Sequence, residues 1–185
     1  MSNNIEQAYE LTLVLRSQMG DEAAFAELFR KYSPRLRFYV VKMLGDRQSH
    51  ADDVLQEIWT SVFRALPKLN EGAAFRAWLF RITRARVCRE FRQARMDSID
   101  AFEESQIEVA TAEVESAVDV EAVQQQLAGL SPEHREALLL RFMEEMTYDE
   151  IALVTGQSPG TVRSRIHYAK RALRRAWKEN SYETK

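Results

Sequence analysis

Apolar residues near the start of the chain recur every three or four positions, which is the spacing of a helix with one buried face. The run extends from Phe25 to Leu44. Asp21 stands where it can cap the start of such a helix, and Gly45 suits the position just past its end. The pattern therefore predicts a helix between these two residues, in which Pro34 could introduce a kink.

A second run predicts a helix that begins near Ser49, where Asp52 gives a possible capping box, and that ends at Pro67. Its predicted buried stripe is Val54, Leu55, Ile58, Val62 and Leu66. Four polar residues share the other side, with Trp59 at the border: Asp53, Gln56, Glu57 and Thr60. Such a face is either ordinary solvated surface or a docking surface for a basic partner.

A third run, after a turn-rich loop, predicts a long helix over residues 75–95. One face carries Phe75, Trp78, Leu79 and Ile82, and its aromatic residues are assigned first to the core. The opposite sector is cationic, with Phe80 and Phe91 at its edge: Arg81, Arg84, Arg92 and Arg95. Arginine beside aromatic residues binds phosphates and stacks on unpaired bases, so this sector favours a nucleic-acid surface over a solvated one.

The C-terminal pattern predicts three helices. Ser131 caps the first, Thr147 and Glu150 give the second a capping box, and Ser158 caps the third after a turn at Gly156. The residues predicted to be buried in the first of them are Ala137, Leu138, Leu140, Phe142 and Met143. A short helix, a glycine turn and a long basic helix are typical of a helix-turn-helix.

The last of these helices has no acidic residue between positions 159 and 178. In a helix-turn-helix the second helix enters the major groove, so we expect Thr161, Arg163, Ser164 and His167 near base edges. The residues expected nearer phosphates are Arg165, Arg171, Arg174 and Arg175. Three-helix units without DNA affinity exist, but the absence of acidic residues disfavours that interpretation.

The formal net charge of -2 conceals charged blocks. Residues 97–126 hold nine acidic residues and no Lys or Arg, and basic segments lie on both sides. The stretch lacks a sustained apolar period, so we interpret it as a linker. The sequence thus predicts an all-α protein with two small helical domains, residues 1–96 and 121–185, joined by an acidic linker over residues 97–120.

Several functions find no support in the sequence. The chain has a single cysteine, Cys88, and three scattered histidines, and it shows neither a Gly-rich phosphate loop nor a nucleophile motif. We expect no cofactor, no metal and no enzymatic activity. No apolar run approaches the roughly 20 residues of a membrane span, and no secretory signal is visible, so we expect a cytoplasmic protein without membrane insertion of its own.

Four segments, in this order, carry a resemblance to a known family: GDEAAFAELFRKYSPRL, ADDVLQEIWTSVFRAL, FRAWLFRITRARVCREFRQAR and LAGLSPEHREALLLRFMEEMTYDEIALVTGQSPGTVRSRIHYAKRAL. They resemble bacterial RNA polymerase sigma factors of the sigma-70 family. The likeness is greatest to the small extracytoplasmic-function (ECF) group, which keeps only regions 2 and 4. It extends from about Gly20 to Trp177.

The resemblance implies a factor that binds core RNA polymerase and directs promoter-specific initiation, as an alternative factor for stress or envelope signals. The polar face of the second helix would dock on the clamp helices of the largest subunit, through Asp53, Gln56, Glu57 and Thr60. The residues implied at the minus-ten element are Asn70, Phe75, Arg81, Arg84, Arg92 and Arg95. Those implied at the minus-thirty-five element are Ser158, Thr161, Arg163, Ser164, Arg165, His167 and Arg171.

Further partners are implied in the same way. The helices before the helix-turn-helix would hold the flap of the second-largest subunit, the acidic linker would thread the RNA channel, and an anti-sigma factor would regulate the protein. The chain departs from the family at Ala85, where many relatives have Asn, so an Asn contact cannot be carried over.

Two other functions compete with this interpretation. A free-standing helix-turn-helix regulator would leave the polar face at Asp53 and the basic helix over residues 76–95 without a role. A sigma-like decoy that sequesters an anti-sigma factor would be expected to lose its basic recognition surface, yet Arg163, Arg165 and Arg171 are present. We therefore prefer the promoter-specificity factor.

Overall fold

The computed structural model describes residues 2–97, 127 and 129–183. These residues form two compact units, one mainly of residues up to Arg92 and the other mainly of residues from Gln93 onward. Every regular element within the described ranges is helical, which confirms the predicted all-α class. The predicted acidic linker lies outside the described residues beyond Asp97, and the predicted domain boundaries stay predictions.

The first unit contains the α-helices α1 (Ser2–Gln18), α2 (Glu22–Leu44), α3 (Ala51–Ala65) and α4 (Phe75–Asp97). Short 3-10 turns cover Gly45–His50, Leu66–Lys68 and Gly72–Ala74. The three helices predicted for this part of the sequence are confirmed as α2, α3 and α4, and α2 continues through Pro34. None of the described helices is long and apolar enough to cross a bilayer.

Helix α1 was not predicted, because its apolar residues form only a short buried stripe. Leu13 and Val14 are fully buried against the rest of the unit. Polar contacts complete the attachment to α2: Lys31 Nζ lies 2.8 Å from a Glu10 oxygen, and the Tyr32 hydroxyl donates to that same oxygen at 2.6 Å. The burial of Leu13 and Val14 and these long-range polar contacts together hold α1 in place.

The predicted cap of α2 is confirmed and that of α3 is wrong. Asp21 accepts a hydrogen bond from the Ala24 amide at 3.1 Å, and Gly45 closes the helix at a φ of 57°. No capping box forms at Ser49, because the chain continues as a 3-10 turn up to His50, whose side chain makes no capping hydrogen bond.

Aromatic rings join α4 to α2. Phe75 lies edge-on to Tyr32 with ring centroids 5.6 Å apart, and Phe80 lies edge-on to Tyr39 at 5.5 Å. The buried stripe of α4 is Phe75, Leu79, Phe80, Thr83 and Val87. It is rotated by roughly a quarter turn from the predicted one, at about 100° per residue. Phe80 is therefore a core residue, and its predicted place at the edge of the cationic sector is wrong.

The second unit contains α5 (Pro132–Leu138), a π-helical turn (Leu139–Met143), α6 (Tyr148–Thr155) and α7 (Pro159–Glu183). The predicted burial of Phe142 and Met143 is wrong, since each is 53% exposed. The amide of Glu144 bonds to the carbonyl of Leu139, five residues back, at 3.1 Å. This wider turn shifts the register of the side chains that follow α5.

The predicted start of α6 and the predicted turn between α6 and α7 are both confirmed. Glu150 accepts from the Thr147 amide at 2.8 Å, and the Glu150 amide donates to the Thr147 hydroxyl at 3.2 Å, which completes the capping box. Gly156 has a φ of 68°, a left-handed conformation that favours glycine. The buried side of α7 is Val162, Ile166 and Ala169.

Candidate nucleic-acid and polymerase interfaces

The first turn of α7 is fixed by hydroxyl groups. Ser158 Oγ accepts from the Thr161 amide at 3.1 Å and lies 2.9 Å from the Thr161 hydroxyl. The Ser164 hydroxyl donates to the Gly160 carbonyl at 3.1 Å. With its proton held by the backbone, Ser164 presents acceptor lone pairs, which suits a base amino group.

Arg163 points out of α7 beside an aromatic ring of α6. Its guanidinium carbon lies 5.7 Å from the centroid of Tyr148, and Arg141 approaches that ring at 5.4 Å. Arg141 is itself anchored by a 2.7 Å bond to the Met146 carbonyl. The ring therefore limits where the exposed Arg163 side chain can go, at a typical cation–π strength of about 0.5–1 kcal/mol.

Farther along α7, the predicted residues divide by exposure. His167 and Arg171 are exposed, and the His167 ring lies 5.5 Å from that of Tyr168. Arg165 is half-buried and faces Glu133 of α5. A hydrogen bond from its own backbone, together with Ser131 and Arg165, holds the pKa of the Glu133 carboxyl below its usual value.

The cationic sector of α4 is present on the surface. Arg81 and Arg92 are exposed, and Arg84 is half-buried, while the side chain of Arg95 lies outside what the structure describes. Phe75 is 1% exposed, so its ring has no free face on which a base could stack. This burial disagrees with the contact to the minus-ten element that the family resemblance implied for Phe75. The sequence pattern assigned Phe75 to the core, and its packing on Tyr32 agrees with that assignment.

Asn70 lies exposed in the connection between α3 and α4. This connection is held at its first turn by Gln18 of α1, whose amide nitrogen donates to the carbonyls of Leu66 at 3.1 Å and Leu69 at 2.7 Å. Asn70 thus follows directly after a turn that is held by hydrogen bonds from α1.

The polar face of α3 is exposed at all four predicted residues, Asp53, Gln56, Glu57 and Thr60. Trp59 is mostly buried instead of bordering this face, because its ring packs on Phe25 and Phe29. Arg86 of α4 donates two hydrogen bonds to the Glu57 carboxylate, and its third nitrogen donates one to Glu90 at 2.9 Å. The hydrogen bonds from Arg86 hold the pKa of the Glu57 carboxyl below its usual value.

Three residues that organise these surfaces were missed from the sequence: Gln18, Arg86 and Tyr148. Arg86 stood in a run of arginines, and its one distinguishing signal was Glu90, an acid at the helical spacing of an ion pair. Gln18 and Tyr148 gave no such signal, since their partners are remote in sequence or are backbone carbonyls. Among the described residues, no group of His, Cys, Asp and Glu could hold a metal ion.

Comparison with known families matches both units. The family model described as "Sigma-70 region 2" matches residues 28–96, and the model described as "Sigma-70, region 4" matches residues 120–173. The chain is 33% identical to RNA polymerase sigma-H factor of Pseudomonas aeruginosa, over 93% of this chain and 95% of the relative. It is 30% identical to the ECF RNA polymerase sigma-E factor of Escherichia coli, over 91% of this chain and 94% of the relative.

A solved structure shares the fold. The sigma factor RpoE from Bartonella quintana, in complex with the anti-sigma factor NepR, superposes with a TM-score of 0.70 and 26% identity, over 83% of this chain and 96% of that one. The class defined by fold and sequence is the RNA polymerase sigma factor. The chain belongs to the sigma-70 family, in its ECF group. It is an alternative sigma factor that directs promoter-specific transcription initiation, in a family that binds core RNA polymerase and promoter DNA.

Proposed function

We propose that α7 recognises the minus-thirty-five element through Ser158, Thr161, Arg163, Ser164, Arg165, His167 and Arg171. The observation that carries this assignment is the exposed face of α7 behind the turn at Gly156, where residues 159–178 include no acidic residue. Arg163 is the base-reading candidate, because it is exposed and near the start of the helix. Ser158 lies at the helix N-terminus, where free amides favour a phosphate.

We propose that the first unit opens and holds the minus-ten element. Arg81, Arg84, Arg92 and Arg95 of α4 bind its backbone, and Asn70 in the α3–α4 connection contacts an unstacked base. Unstacking costs a few kcal/mol per base, so the unit needs a surface whose contacts with the unstacked base offset that cost. Phe75 is left out of this surface because it is buried.

We propose that the α3 face binds the clamp helices of the largest polymerase subunit. Asp53, Gln56 and Thr60 are exposed, and Glu57 is held in one orientation by Arg86. The flap of the second-largest subunit binds beside the π-helical turn, where Phe142 and Met143 offer apolar surface. The two contacts give each unit its own attachment to polymerase.

We propose further that the protein acts in the cytoplasm, without enzymatic activity of its own, and that an anti-sigma factor controls it in response to stress or envelope signals. The support is the likeness to the RpoE chain that is in complex with the anti-sigma factor NepR. No Cys/His sensor cluster is found among the described residues, which favours control by another protein.

The test of the α7 assignment is binding-site selection with holoenzyme that carries wild-type protein or Arg163→Ala. Loss of preference at one or two upstream base pairs, by about 1–3 kcal/mol each, is the expected result if Arg163 reads a base. An equal loss on all sequences would make Arg163 a phosphate contact instead. Lys170→Ala, which removes an exposed cation from the same helix, serves as the matched control.

A further inference from the structure

Helix α1 contacts the α3–α4 connection at two points, and neither point is explained by the binding surfaces above. We propose that α1 is the positioning element of the minus-ten loop, and that Gln18 and the Leu11–Gly72 contact set the loop in its base-capturing conformation. This inference rests on the proposed role of Asn70 and its loop. It gives a function to a helix that contributes none of the proposed DNA or polymerase contacts.

The first point is the amide of Gln18, near the end of α1. Its nitrogen carries two protons, and these go to two carbonyls of the connection, Leu66 at 3.1 Å and Leu69 at 2.7 Å. The Leu69 amide closes the same turn by a 3.0 Å bond to the Leu66 carbonyl. Asn70 follows directly, so Gln18 fixes the direction in which the chain leaves the turn.

The second point is the close approach of Gly72 to α1. A Cβ at Gly72 would lie 2.8 Å from Leu11 Cδ1 and 3.5 Å from Val14 Cγ1. A side chain at this position would have to displace the end of Leu11, and the backbone is not left-handed, because the φ of Gly72 is not in that region. The loop backbone is thus held on both sides of Asn70, at Leu69 and at Gly72.

Polar and aromatic contacts attach α1 to α2 beneath the loop. Glu10 of α1 receives both Lys31 and the Tyr32 hydroxyl of α2. Burial raises the pKa of Tyr32 far above its usual value, so this hydroxyl keeps its proton and remains a donor. The Tyr32 ring in turn packs on Phe75, the first residue of α4. Both ends of the α3–α4 connection therefore contact the pair formed by α1 and α2, the first end through Gln18 and the last through Tyr32.

The energetic consequence follows from the entropy of the loop. An unattached backbone residue samples several conformations, and fixing it costs about 1–2 kcal/mol. Contacts from α1 meet that cost during folding, before DNA arrives, so capture of a base needs less ordering. Loosening α1 should then slow promoter melting while binding to core polymerase and to the minus-thirty-five element is kept.

The experiment uses holoenzyme reconstituted from core polymerase and the full-length protein, on a promoter with 2-aminopurine in the minus-ten element. Gln18→Glu keeps the shape of the side chain but replaces the two donors by an acceptor that faces two carbonyls. We expect the rate of the fluorescence rise to fall at least fivefold. Holoenzyme formation and the affinity for an isolated minus-thirty-five duplex should stay within twofold of wild type.

A second pair of variants tests the packing contact independently. Gly72→Ala should slow melting, because the new methyl group meets Leu11. Leu11→Ala in the same chain removes that obstacle, so the double variant should recover most of the wild-type rate.

Several results overturn the inference. Wild-type melting by both Gln18→Glu and Gly72→Ala would do so, as would a parallel loss of core binding in Gln18→Glu, which would make α1 a general structural helix. Asn70→Ala separates the two levels. If it slows melting while the α1 variants do not, the loop keeps its proposed function and the role of α1 fails; if Asn70→Ala melts normally, the proposed role of the loop and this inference fail together.

Discussion

Two guanidinium nitrogens of Arg86 in α4 donate hydrogen bonds to the Glu57 carboxylate of α3, at 2.6 Å and 3.0 Å. The pair joins the helix proposed to bind the minus-ten element to the face proposed to bind polymerase. Arg86 also bonds to Glu90 at 2.9 Å, and Glu90 lies 3.2 Å from His50 Nδ1. Glu57 is thus not a freely moving charge on the α3 face, because its position depends on α4.

Removal of Arg86 should destabilise the first unit. In Arg86→Leu, Glu57 and Glu90 lose a shared cation, and the expected loss in the free energy of unfolding is about 1–2 kcal/mol, reduced by the exposure of Glu57. Arg86→Lys keeps the charge without the forked geometry and should lose less. Urea denaturation measures both, and equal stability of wild type and Arg86→Leu would contradict the structural importance of the pair.

The same pair predicts a pH dependence. The pKa of Glu57 is lowered by the Arg86 hydrogen bonds, and that of Glu90 is lowered because bonds from His50 and Arg86 outweigh the effect of burial. A carboxyl with a lowered folded-state pKa stabilises the protein above its unfolded pKa, about 4.3, and loses that contribution as the pH falls through the folded pKa. The stability gap between wild type and Arg86→Leu should therefore be full at pH 7 and shrink below about pH 4.3. A gap that is independent of pH would show that the carboxylates do not stabilise through Arg86.

Asp53 is the better probe of the polymerase face, because Glu57→Arg would also place a cation against Arg86. Asp53→Arg should weaken binding to core polymerase about tenfold or more, which corresponds to ~1.4 kcal/mol, through charge repulsion at the interface. Its melting temperature should change little, since Asp53 is exposed. Asp46→Arg, the same change of charge at an exposed residue outside α3, is the control. Unchanged co-elution of Asp53→Arg with core would contradict the assignment of this face.

Tyr148 should sharpen base recognition without touching DNA. In Tyr148→Ala, Arg163 loses the ring beside it, and discrimination at the base that Arg163 reads should fall by about two- to fivefold, the equivalent of 0.5–1 kcal/mol. Tyr148→Phe keeps the ring and should discriminate like wild type. Binding titrations with matched and mismatched upstream duplexes provide the measurement, and identical selectivity of Ala and Phe variants would contradict a positioning role.

Ser158 combines a cap with a proposed DNA contact, and two substitutions separate them. Ser158→Ala should lower the stability of the second unit by about 1 kcal/mol, because the Thr161 amide loses its acceptor. Ser158→Asp keeps an acceptor and the stability, yet should weaken DNA binding by repelling phosphate. Thermal unfolding and DNA titrations of the two variants give the comparison. Normal DNA affinity in Ser158→Asp would place the start of α7 away from the phosphates.

The sequence predicted the elements whose signals are local. The capping box of Thr147 and Glu150, the cap at Asp21 and the turn at Gly156 involve neighbours in the chain, and all three are confirmed. The sigma-factor family was also evident, because ordered segments in both units resemble it. Local rules succeeded at these three places, whereas the capping box predicted at Ser49 did not form because a 3-10 turn precedes α3.

The errors at Phe80 and α1 arise where packing between helices decides, and the one at Phe142 arises from an irregular turn. Phe80 is buried because Tyr39 of another helix lies beside it, and α1 is folded through contacts with residues about 20 positions away. Phe142 is exposed because a π-helical turn shifts the register after α5. Helical periodicity fixes the angle between side chains on one helix, but it does not fix which angle faces the core.

Transcription in vitro with purified core polymerase tests the central claim most directly, namely that this chain gives polymerase its promoter specificity through both units. On genomic fragments, added protein should produce start sites that core alone does not use, each preceded by shared upstream and minus-ten sequences. Arg163→Ala should reduce use of these sites, and Asp53→Arg should reduce all protein-dependent transcription. If no protein-dependent start site appears on any fragment, the account is contradicted.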